Sequence, residues 1–226
     1  MHDFTIAPQL AALAEIFSEN GARLYAVGGM VRNCLLGYPV NDTDVCSALR
    51  IEDVEAMLTA RGIECRKKGA AFGTLDIVMG GMSFEYAAFR TERYDGTGSH
   101  RPSEVSFAAT LEEDAFRRDF TVNAIYLDPL TKEVTDPTGG VEDIEQRILR
   151  ATNPDPALIM RDDGVRILRL CRFARRAEGY FAGEDICRAV QAYNGGHGLR
   201  RGIRCAYRRA ASFAPKRGDR GTAAGA

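Results

Sequence analysis

Residues 25–47, YAVGGMVRNCLLGYPVNDTDVCS, decide how the rest of this chain is interpreted. The pattern predicts a short apolar strand, a turn at Gly28 and Gly29, a short helix, and a second strand that carries Asp42 and Asp44. Residues two apart on a strand share one face, so the two carboxylates should project together toward the glycine turn. Two carboxylates beside unshielded backbone N–H groups predict a site for a divalent cation that carries phosphate.

Each part of this stretch also has an ordinary structural explanation. A lone Asp-x-Asp is most often a turn or a solvated surface, and a Gly-Gly pair is usually a turn that needs positive φ. Arg32 and Gly37 lie between the Gly-Gly pair and the Asp-x-Asp motif. With this order and spacing, the metal–phosphate interpretation and the ordinary structural one are equally favoured. The motifs further along the chain decide between them.

The composition is that of an ordinary globular protein, with 45% hydrophobic and 27% charged residues in 226. Such a chain can bury one good core, or one domain and a smaller helical piece. The first residues show no basic segment followed by an apolar run, and no stretch approaches the ~20 apolar residues of a membrane span. We therefore expect a cytoplasmic protein with no membrane association. The six cysteines form no C-x-x-C pair, so we expect free thiols.

Charge is divided unevenly along the chain. Residues 1–163 carry 16 Lys and Arg against 27 Asp and Glu, whereas residues 164–226 carry 14 against 4. An acidic half joined to a basic half suits an enzyme that handles a metal–nucleotide and a polyanion, and an ordinary basic tail is the alternative.

Two alternating runs, 73–78 and 82–89, are joined by a Gly-Gly pair and predict a β-hairpin. Glu85 lies in the second run among apolar neighbours. From the residues alone, we favour the solvent face for Glu85 over a place as a third metal ligand. Residues 91–102 are polar and rich in glycine, which predicts a functional or disordered loop.

Residues 117–124, RRDFTVNA, place two arginines, an aspartate and an asparagine in an apolar segment, where they are costly to bury unless paired. Guanidinium groups suit a triphosphate, and Asp and Asn suit ribose hydroxyls. A local Arg–Asp ion pair that holds a helix is an equal alternative. A helix predicted over 163–175 puts Asp163 and Arg166 on one face, which Arg169 continues.

Four separated motifs resemble the class II nucleotidyltransferases, the family of bacterial CCA-adding enzymes and poly(A) polymerases. In chain order they are GGMVRN–LLG with DTD, FEYAAFRTERYDG…HRP, EEDAFRRDFTVNA, and DPTGGVEDI followed by RDDGVRILRLCRF. Together they cover residues 24–174. The loop before HRP is more similar to the CCA-adding enzymes than to the poly(A) polymerases.

The resemblance implies an α+β fold, with a polymerase-β-like head of a small mixed sheet and helices, followed by an all-helical neck. The corresponding domain boundaries are 1–138 for the palm-like head, 139–176 for a neck that recognises the base, and 177–226 for a basic tail.

The resemblance also implies roles for individual residues. Asp42 and Asp44 would hold two Mg²⁺ ions. Glu85 matches the family's third acidic position, which reverses the preference for a solvent-facing role. The implied nucleotide-binding residues are Gly28, Gly29 and Arg32 at the triphosphate, Arg118, Asp119 and Asn123 around triphosphate and ribose, and Asp163, Arg166 and Arg169 at the base.

The activity implied is template-independent addition of CMP and/or AMP, from CTP and ATP, to the 3′ end of tRNA. Two alternatives remain open on the sequence. One is a poly(A) polymerase with the same head, and the other is an inactive, truncated remnant that still binds RNA or nucleotide.

Two of the chain's departures from the family bear on its function. Asn33 stands where the family usually has Asp, so we expect a lost ionic role, either structural or in positioning Arg32, and a lower rate. Residues 175–226 contain only four Ile, Leu, Val or Met residues, too few to bury much core. We expect that the reading frame changed near Arg175 and that these 52 residues are not an evolved domain.

Overall fold

The structure is a computed structural model that describes residues 4–40, 42–69, 74–94, 102–107 and 110–155, with Arg166, Arg169, Leu170, Phe173 and residues 181–182. Asp163 and nearly all of the predicted tail over 177–226 lie outside the residues that the structure describes.

Within the described residues, the chain forms five α-helices, one 3₁₀ turn and eleven strands. The helices are α1 (Pro8–Glu19), α2 (Gly29–Leu36), α3 (Ile51–Thr59), α4 (Leu111–Phe116) and α5 (Gly140–Gln146), and the 3₁₀ turn is Thr121–Asn123. The strands are β1 (Tyr25–Val27), β2 (Thr43–Ser47), β3 (Glu64–Gly69), β4 (Thr74–Met79), β5 (Met82–Ala88), β6 (Arg90–Arg93), β7 (Glu104–Phe107), β8 (Tyr126–Leu127), β9 (Val134–Thr135), β10 (Ile148–Leu149) and β11 (Phe181–Ala182).

Seven strands form one mixed sheet in the order β3-β4-β5-β2-β1-β8-β9. β2 and β5 pair in parallel, and the other neighbours in this sheet are antiparallel. A parallel pair needs a long crossover, and α3 with β3 and β4 supplies it. This sheet and its helices confirm the predicted α+β class and the predicted hairpin, β4–β5.

One face of the sheet carries the main hydrophobic core. Helices α1 and α3 place their apolar stripes on this face, where the rings of Phe17 and Tyr86 lie 5.8 Å apart. The apolar stripe of α1 has the 3.6-residue spacing of an amphipathic helix, and Pro8 begins the helix because its missing N–H has no partner to lose there. The fully buried side chains of this core include Leu10, Leu13, Phe17, Leu58, Leu75, Ile77, Phe84 and Tyr86.

The opposite face carries a second, smaller group of buried residues among those that the structure describes. A smaller core of Val27, Cys46, Phe89, Ala115 and Tyr126 forms where α4 packs on it. Asp44 shares this face with Cys46, two residues further along β2, but is only partly buried. The candidate site therefore lies on the face of the sheet opposite the main core.

The predicted loop over residues 91–102 begins later than expected. Residues Arg90–Arg93 form β6, which pairs antiparallel with β7, so the first part of the loop prediction is wrong. β6 has partly buried charged residues in place of an apolar alternation, because Arg90 and Glu92 pair with each other. Because charged residues replace the apolar alternation, the sequence pattern does not indicate the strand β6.

Cys34, Cys46 and Cys65 are free thiols, and burial raises the pKa of Cys46 far above its ordinary value. In the part of the chain that the structure describes, no helix has both the length and the apolar character to cross a membrane.

Candidate active site

The turn after β1 brings backbone against the carboxylate of Asp44. Gly28 has φ +73° and ψ −135°, a backbone conformation that residues with a Cβ rarely adopt. A Cβ placed on Gly28 would lie 3.1 Å from Asp44 Oδ2. Val27 pairs in register with Asp44, which fixes this approach. The structure therefore brings together the glycine turn and one of the two predicted carboxylates.

Two more carboxylates lie beside Asp44. Glu85 is exposed and pairs in register with Asp44 across the parallel strands, so both side chains stand on the same face. Asp42 is exposed and precedes β2, which begins one residue later than the predicted strand. Burial raises the pKa of the Asp44 carboxyl, and the charges of Glu85 and Asp42 raise it further, against a lowering by Arg118 and Arg169.

This donor set fits magnesium in its chemistry. Mg²⁺ in proteins takes one or two carboxylates and completes its shell with water and phosphate oxygens, and a cation would relieve the repulsion that raises the pKa of Asp44. Asp42 and Asp44 supply two such carboxylates. Within the described residues, no group of three or more His, Cys, Asp and Glu side chains is arranged to hold a metal ion by itself.

Arg32 lies behind the glycine turn and is mostly buried, with 8% of its surface exposed. Its Nη1 donates to Asn123 Oδ1 at 2.5 Å, and its Nη2 donates to Asn33 Oδ1 at 3.1 Å. Its guanidinium lies over the Phe173 ring, 4.9 Å from the centroid. A Cβ on Gly29 would be 3.7 Å from Nη2, an ordinary contact. Arg32 is thus held from three sides.

Asn33, where the resemblance expects Asp, positions Arg32. While its Oδ1 accepts from Arg32, its Nδ2 donates to the carbonyl oxygen of Pro39 at 3.0 Å. An aspartate could accept from Arg32 but could not donate to Pro39. The amide ties Arg32 to the segment that leads into β2, so a neutral contact to Arg32 is present where the sequence analysis expects the ionic role of an aspartate to be lost.

Asp119 and Asn123 lie deeper, at the 3₁₀ turn. Asn123 Nδ2 donates to Asp119 Oδ1 at 3.1 Å, and the backbone N–H of Phe120 donates to the same oxygen at 2.8 Å. Asp119 Oδ2 is 2.7 Å from Nε of Arg169. These predicted nucleotide-binding residues are therefore brought together with Arg32 in one network.

Three residues with helical backbone dock beside this network. Arg166 Nη2 donates to the carbonyl oxygen of Arg117 at 3.0 Å, Arg169 pairs with Asp119, and Phe173 packs edge-on against Phe120 at 5.7 Å. Positions 166, 169 and 173 recur at helical spacing, so they occupy one face. That face carries two of the three predicted base-recognition residues, and the third, Asp163, lies outside the described residues.

Arg118 is bound by protein partners. Its Nε and Nη2 lie 3.1 Å and 2.8 Å from Asp114 Oδ2, and Nε also donates to the Tyr126 hydroxyl at 3.0 Å. Arg117 donates to the other oxygen of Asp114 at 2.6 and 2.8 Å. The ion-pair alternative for the 117–124 block is thus present, with Asp114 as its acid, and Arg118 is still close enough to lower the pKa of Asp44.

Asp114 is a residue that the sequence analysis missed. Its carboxylate is fully buried and accepts from Arg117, Arg118 and Tyr126. It stands in an acidic first turn with a Thr110–Glu113 capping box, which is typical of a solvated helix start. The available signal was spacing, because Asp114 precedes Arg117 and Arg118 by three and four residues.

The DPTGGVEDI motif packs against the 117–124 block through contacts to Thr121. Asp136 accepts from the N–H groups of Gly140 and Val141 at 2.8 and 2.9 Å, which fixes the start of α5. A Cβ on Gly140 would lie 2.2 Å from the carbonyl oxygen of Thr121, so only glycine fits this approach. Asp143 accepts from the Thr121 hydroxyl at 2.6 Å. This motif has a structural role in the described geometry.

This chain is similar to named proteins both in sequence and in structure. The sequence is 35% identical over 186 residues to the CCA-adding enzyme of Anoxybacillus flavithermus, over 82% of this chain and 45% of the relative. The structure matches that of the Bacillus stearothermophilus CCA-adding enzyme in complex with CTP, with a TM-score of 0.73, 29% identity, and coverage of 91% of this chain and 49% of that one. It also matches a tRNA nucleotidyltransferase complexed with a primer tRNA and an incoming ATP analog, with a TM-score of 0.63, 29% identity, and coverage of 80% and 51%.

The chain spans less than half the length of the curated relative that it matches. Residues 24–150, more than half of the chain, match the family model described as the poly A polymerase head domain. The chain belongs to this family, within the class II nucleotidyltransferases that the sequence motifs resemble.

Proposed function

We propose that this chain is a template-independent nucleotidyltransferase that adds CMP and/or AMP, from CTP and ATP, to the 3′ end of tRNA in the cytoplasm. The observation that carries the proposal is the contact between the Gly28 turn and Asp44, with Glu85 in register beside it. Relatives that share this head are named CCA-adding enzymes, and a similar solved structure is a tRNA nucleotidyltransferase complexed with a primer tRNA and an incoming ATP analog.

Asp42 and Asp44 would hold Mg²⁺, with Glu85 as the third acidic group of the site. The bound metal would activate the primer 3′-hydroxyl and stabilise the leaving pyrophosphate. The bare backbone of Gly28 and Gly29, at the start of α2, offers N–H groups to phosphate oxygens. Arg32, held behind that turn, adds positive charge where the triphosphate would lie.

Base selection is assigned to the helical face that carries Arg166. A guanidinium donor and the carboxylate expected at Asp163 can meet the complementary edges of cytosine or adenine without a nucleic-acid template. Arg166 is anchored through one Nη2 bond to a backbone carbonyl, which orients the rest of its guanidinium. We place the neck over 139–176, following a head over 1–138.

Transfer of labelled nucleotide tests this proposal. Purified chain, Mg²⁺, labelled CTP or ATP, and tRNA that lacks its terminal CCA should give labelled tRNA that is absent when the metal is chelated. Incorporation from ATP alone, with long tails, would instead select a poly(A) polymerase. Nucleotide binding without any transfer would identify an inactive remnant and overturn the proposed activity.

Gly28→Ala should impair transfer far more than Gly37→Ala. Both glycines have positive φ, so both variants bear a backbone cost of about 1–3 kcal/mol. Only at Gly28 does the added Cβ meet a carboxylate oxygen, whereas nothing lies within 4 Å at Gly37. We expect Gly28→Ala to lower kcat by about 100-fold or more in the label-transfer assay, and Gly37→Ala to stay within about threefold. Equal activities in the two variants would contradict the proposed contact.

A further inference from the structure

Two large apolar side chains are exposed on the segment that leads from α2 to Asp42. Tyr38 is 36% exposed and Val40 is 38% exposed, and they are two of only four large apolar residues that are exposed in the described part of the chain. Pro39, between them, is exposed as well. We call residues 38–40 the apolar platform. Its place directly before a candidate metal ligand asks for a functional explanation.

The apolar platform is held in place by one residue of α2. The backbone N–H of Tyr38 donates to the carbonyl oxygen of Asn33 at 2.8 Å, and Asn33 Nδ2 donates to the carbonyl oxygen of Pro39 at 3.0 Å. The proline ring fixes one further backbone angle. An ordered surface loses little conformational entropy when a ligand covers it, so the platform is prepared for binding.

The apolar platform lies beside the metal site and away from the glycine turn. Val40 and Tyr38 precede Asp42 by two and four residues, so their Cα atoms are at most ~7 Å and ~14 Å from that of Asp42. The Gly28 turn begins α2 and the platform follows its other end, ~12 Å away along eight residues. In phosphoryl transfer, the attacking and leaving oxygens lie on opposite sides of the phosphorus. A platform remote from the pyrophosphate therefore suits the attacking strand.

The chemistry of this segment suits a base and not a phosphate. Residues 33–49 contain no Lys or Arg, and the charged residues nearest to the platform are the carboxylates of Asp42 and Asp44. The platform offers a phenol ring and aliphatic surface. Aromatic side chains stack on the bases of single-stranded nucleic acid whatever the base, because every base has a π-face. The proposed reaction needs this tolerance, since the terminal nucleotide of the primer changes with each addition.

We propose that the apolar platform, chiefly the Tyr38 ring, stacks on the base of the 3′-terminal nucleotide of the RNA primer and so holds the terminal hydroxyl at the metal site. The inference rests on the proposed function, because it assigns a place to the RNA substrate of the same reaction. It predicts a contact that depends on the presence of the terminal base and not on its identity.

The test compares two primers in the label-transfer assay with CTP and Mg²⁺. Both are tRNA that lacks its terminal CCA, and in one the base of the 3′-terminal nucleotide is replaced by hydrogen, with both ribose hydroxyls kept. For the wild type, kcat/KM should be about tenfold lower on this abasic primer, the effect of one lost stacking contact. Equal values on the two primers would overturn the proposal.

Tyr38→Ala should remove the difference between the primers. We expect it to lower kcat/KM on the normal primer by about tenfold, and to stay within about threefold of the wild type on the abasic primer, because the contact is already absent there. Equal losses on both primers would show that the substitution acts without the base, and would overturn the proposal. The exposure of Tyr38 means that its truncation should cost the fold little.

Two variants serve as controls. Tyr38→Phe keeps the ring and should remain within about threefold of the wild type on both primers, and a tenfold loss would show that the hydroxyl matters and not the ring face. Leu130→Ala removes another apolar side chain, which is 43% exposed in the β8–β9 turn, and should also change neither value by more than about threefold. A tenfold loss in this variant on the normal primer alone would reject a specific role of the platform.

The KM for CTP separates the primer side of the site from the nucleotide side. At saturating primer, Tyr38→Ala should leave this KM within about threefold of the wild-type value, because the platform is remote from the glycine turn. A tenfold rise would place Tyr38 against the incoming nucleotide and overturn the proposal.

Failure of this inference can be separated from failure of the proposed function. If the wild-type chain transfers no label to the normal primer, the nucleotidyltransferase proposal is overturned, and the platform proposal with it. If the wild type transfers label equally well to both primers, only the stacking role of the platform is wrong.

Discussion

Asp44→Asn should reduce nucleotide transfer to tRNA by about 10³-fold or more, with the chain still folded. The substitution keeps the shape of the side chain and removes the charge that a divalent cation needs, a loss of several kcal/mol of transition-state stabilisation. Burial and the neighbouring carboxylates already disfavour the ionised form of Asp44, so the neutral amide should not destabilise the sheet. The label-transfer assay and a thermal unfolding curve measure the two effects.

Asp76→Asn is the matched control for this change. Asp76 on β4 pairs in register with Glu85, so it stands on the same face as Asp44, two strands away, and it is also partly buried. It should retain activity within about threefold, because β5 and β2 lie between β4 and the strand that leads into the Gly28 turn. Equal losses from the two variants would show that overall negative charge on this face matters, and not the contact between Asp44 and the turn.

The local part of the site could be predicted from the sequence because its signals are local. Gly28 and Asp44 belong to a turn and an alternating strand, and strand periodicity places the Asp44 side chain on one face. The pairing of Asp44 with Glu85 joins strands separated by the crossover, and no local pattern encodes their register. Only the resemblance to a family pointed to Glu85.

The spacing of Asp114 from Arg117 and Arg118 was an available signal for the ion pairs, but the burial of Asp114 could not be predicted from local patterns. An acidic first turn beside a capping box predicts a solvated helix start, and burial of Asp114 follows from partners on other elements, such as Tyr126. The role of Asn33 is similar. Its amide is needed because the chain turns back and presents the Pro39 carbonyl, a feature of tertiary structure.

Asp114→Asn should lower the free energy of unfolding by about 3–5 kcal/mol at pH 7. The carboxylate is fully buried and neutralises Arg117 and Arg118, whose side chains are 14% and 16% exposed. Removing one partner of a buried ion pair leaves an uncompensated charge in the interior. The free-energy cost of that charge is far larger than the stabilisation that the pair contributed. Denaturant unfolding measures the change directly.

Glu112→Gln is the control on the same helix. It removes one negative charge from the first turn of α4, as Asp114→Asn does, but Glu112 is exposed. Any interaction with the helix dipole is thus common to both variants, and Glu112→Gln should cost less than about 0.5 kcal/mol. Similar losses in the two variants would assign the effect to the helix terminus and contradict the role of the buried ion pairs.

The pH dependence separates the charge of Asp114 from its packing. Burial alone would raise the pKa of Asp114, but the charges of Arg118 and Arg117 and the bond from Tyr126 outweigh it and hold the pKa below its ordinary value. A depressed pKa contributes stability in full above the unfolded-state pKa of about 3.9, and this contribution is lost as the pH falls through the folded-state value. The wild type should therefore lose its advantage over Asp114→Asn as the pH falls below about 4. An advantage that stays constant across this range would mean that shape, and not charge, accounts for the stability that Asp114 contributes.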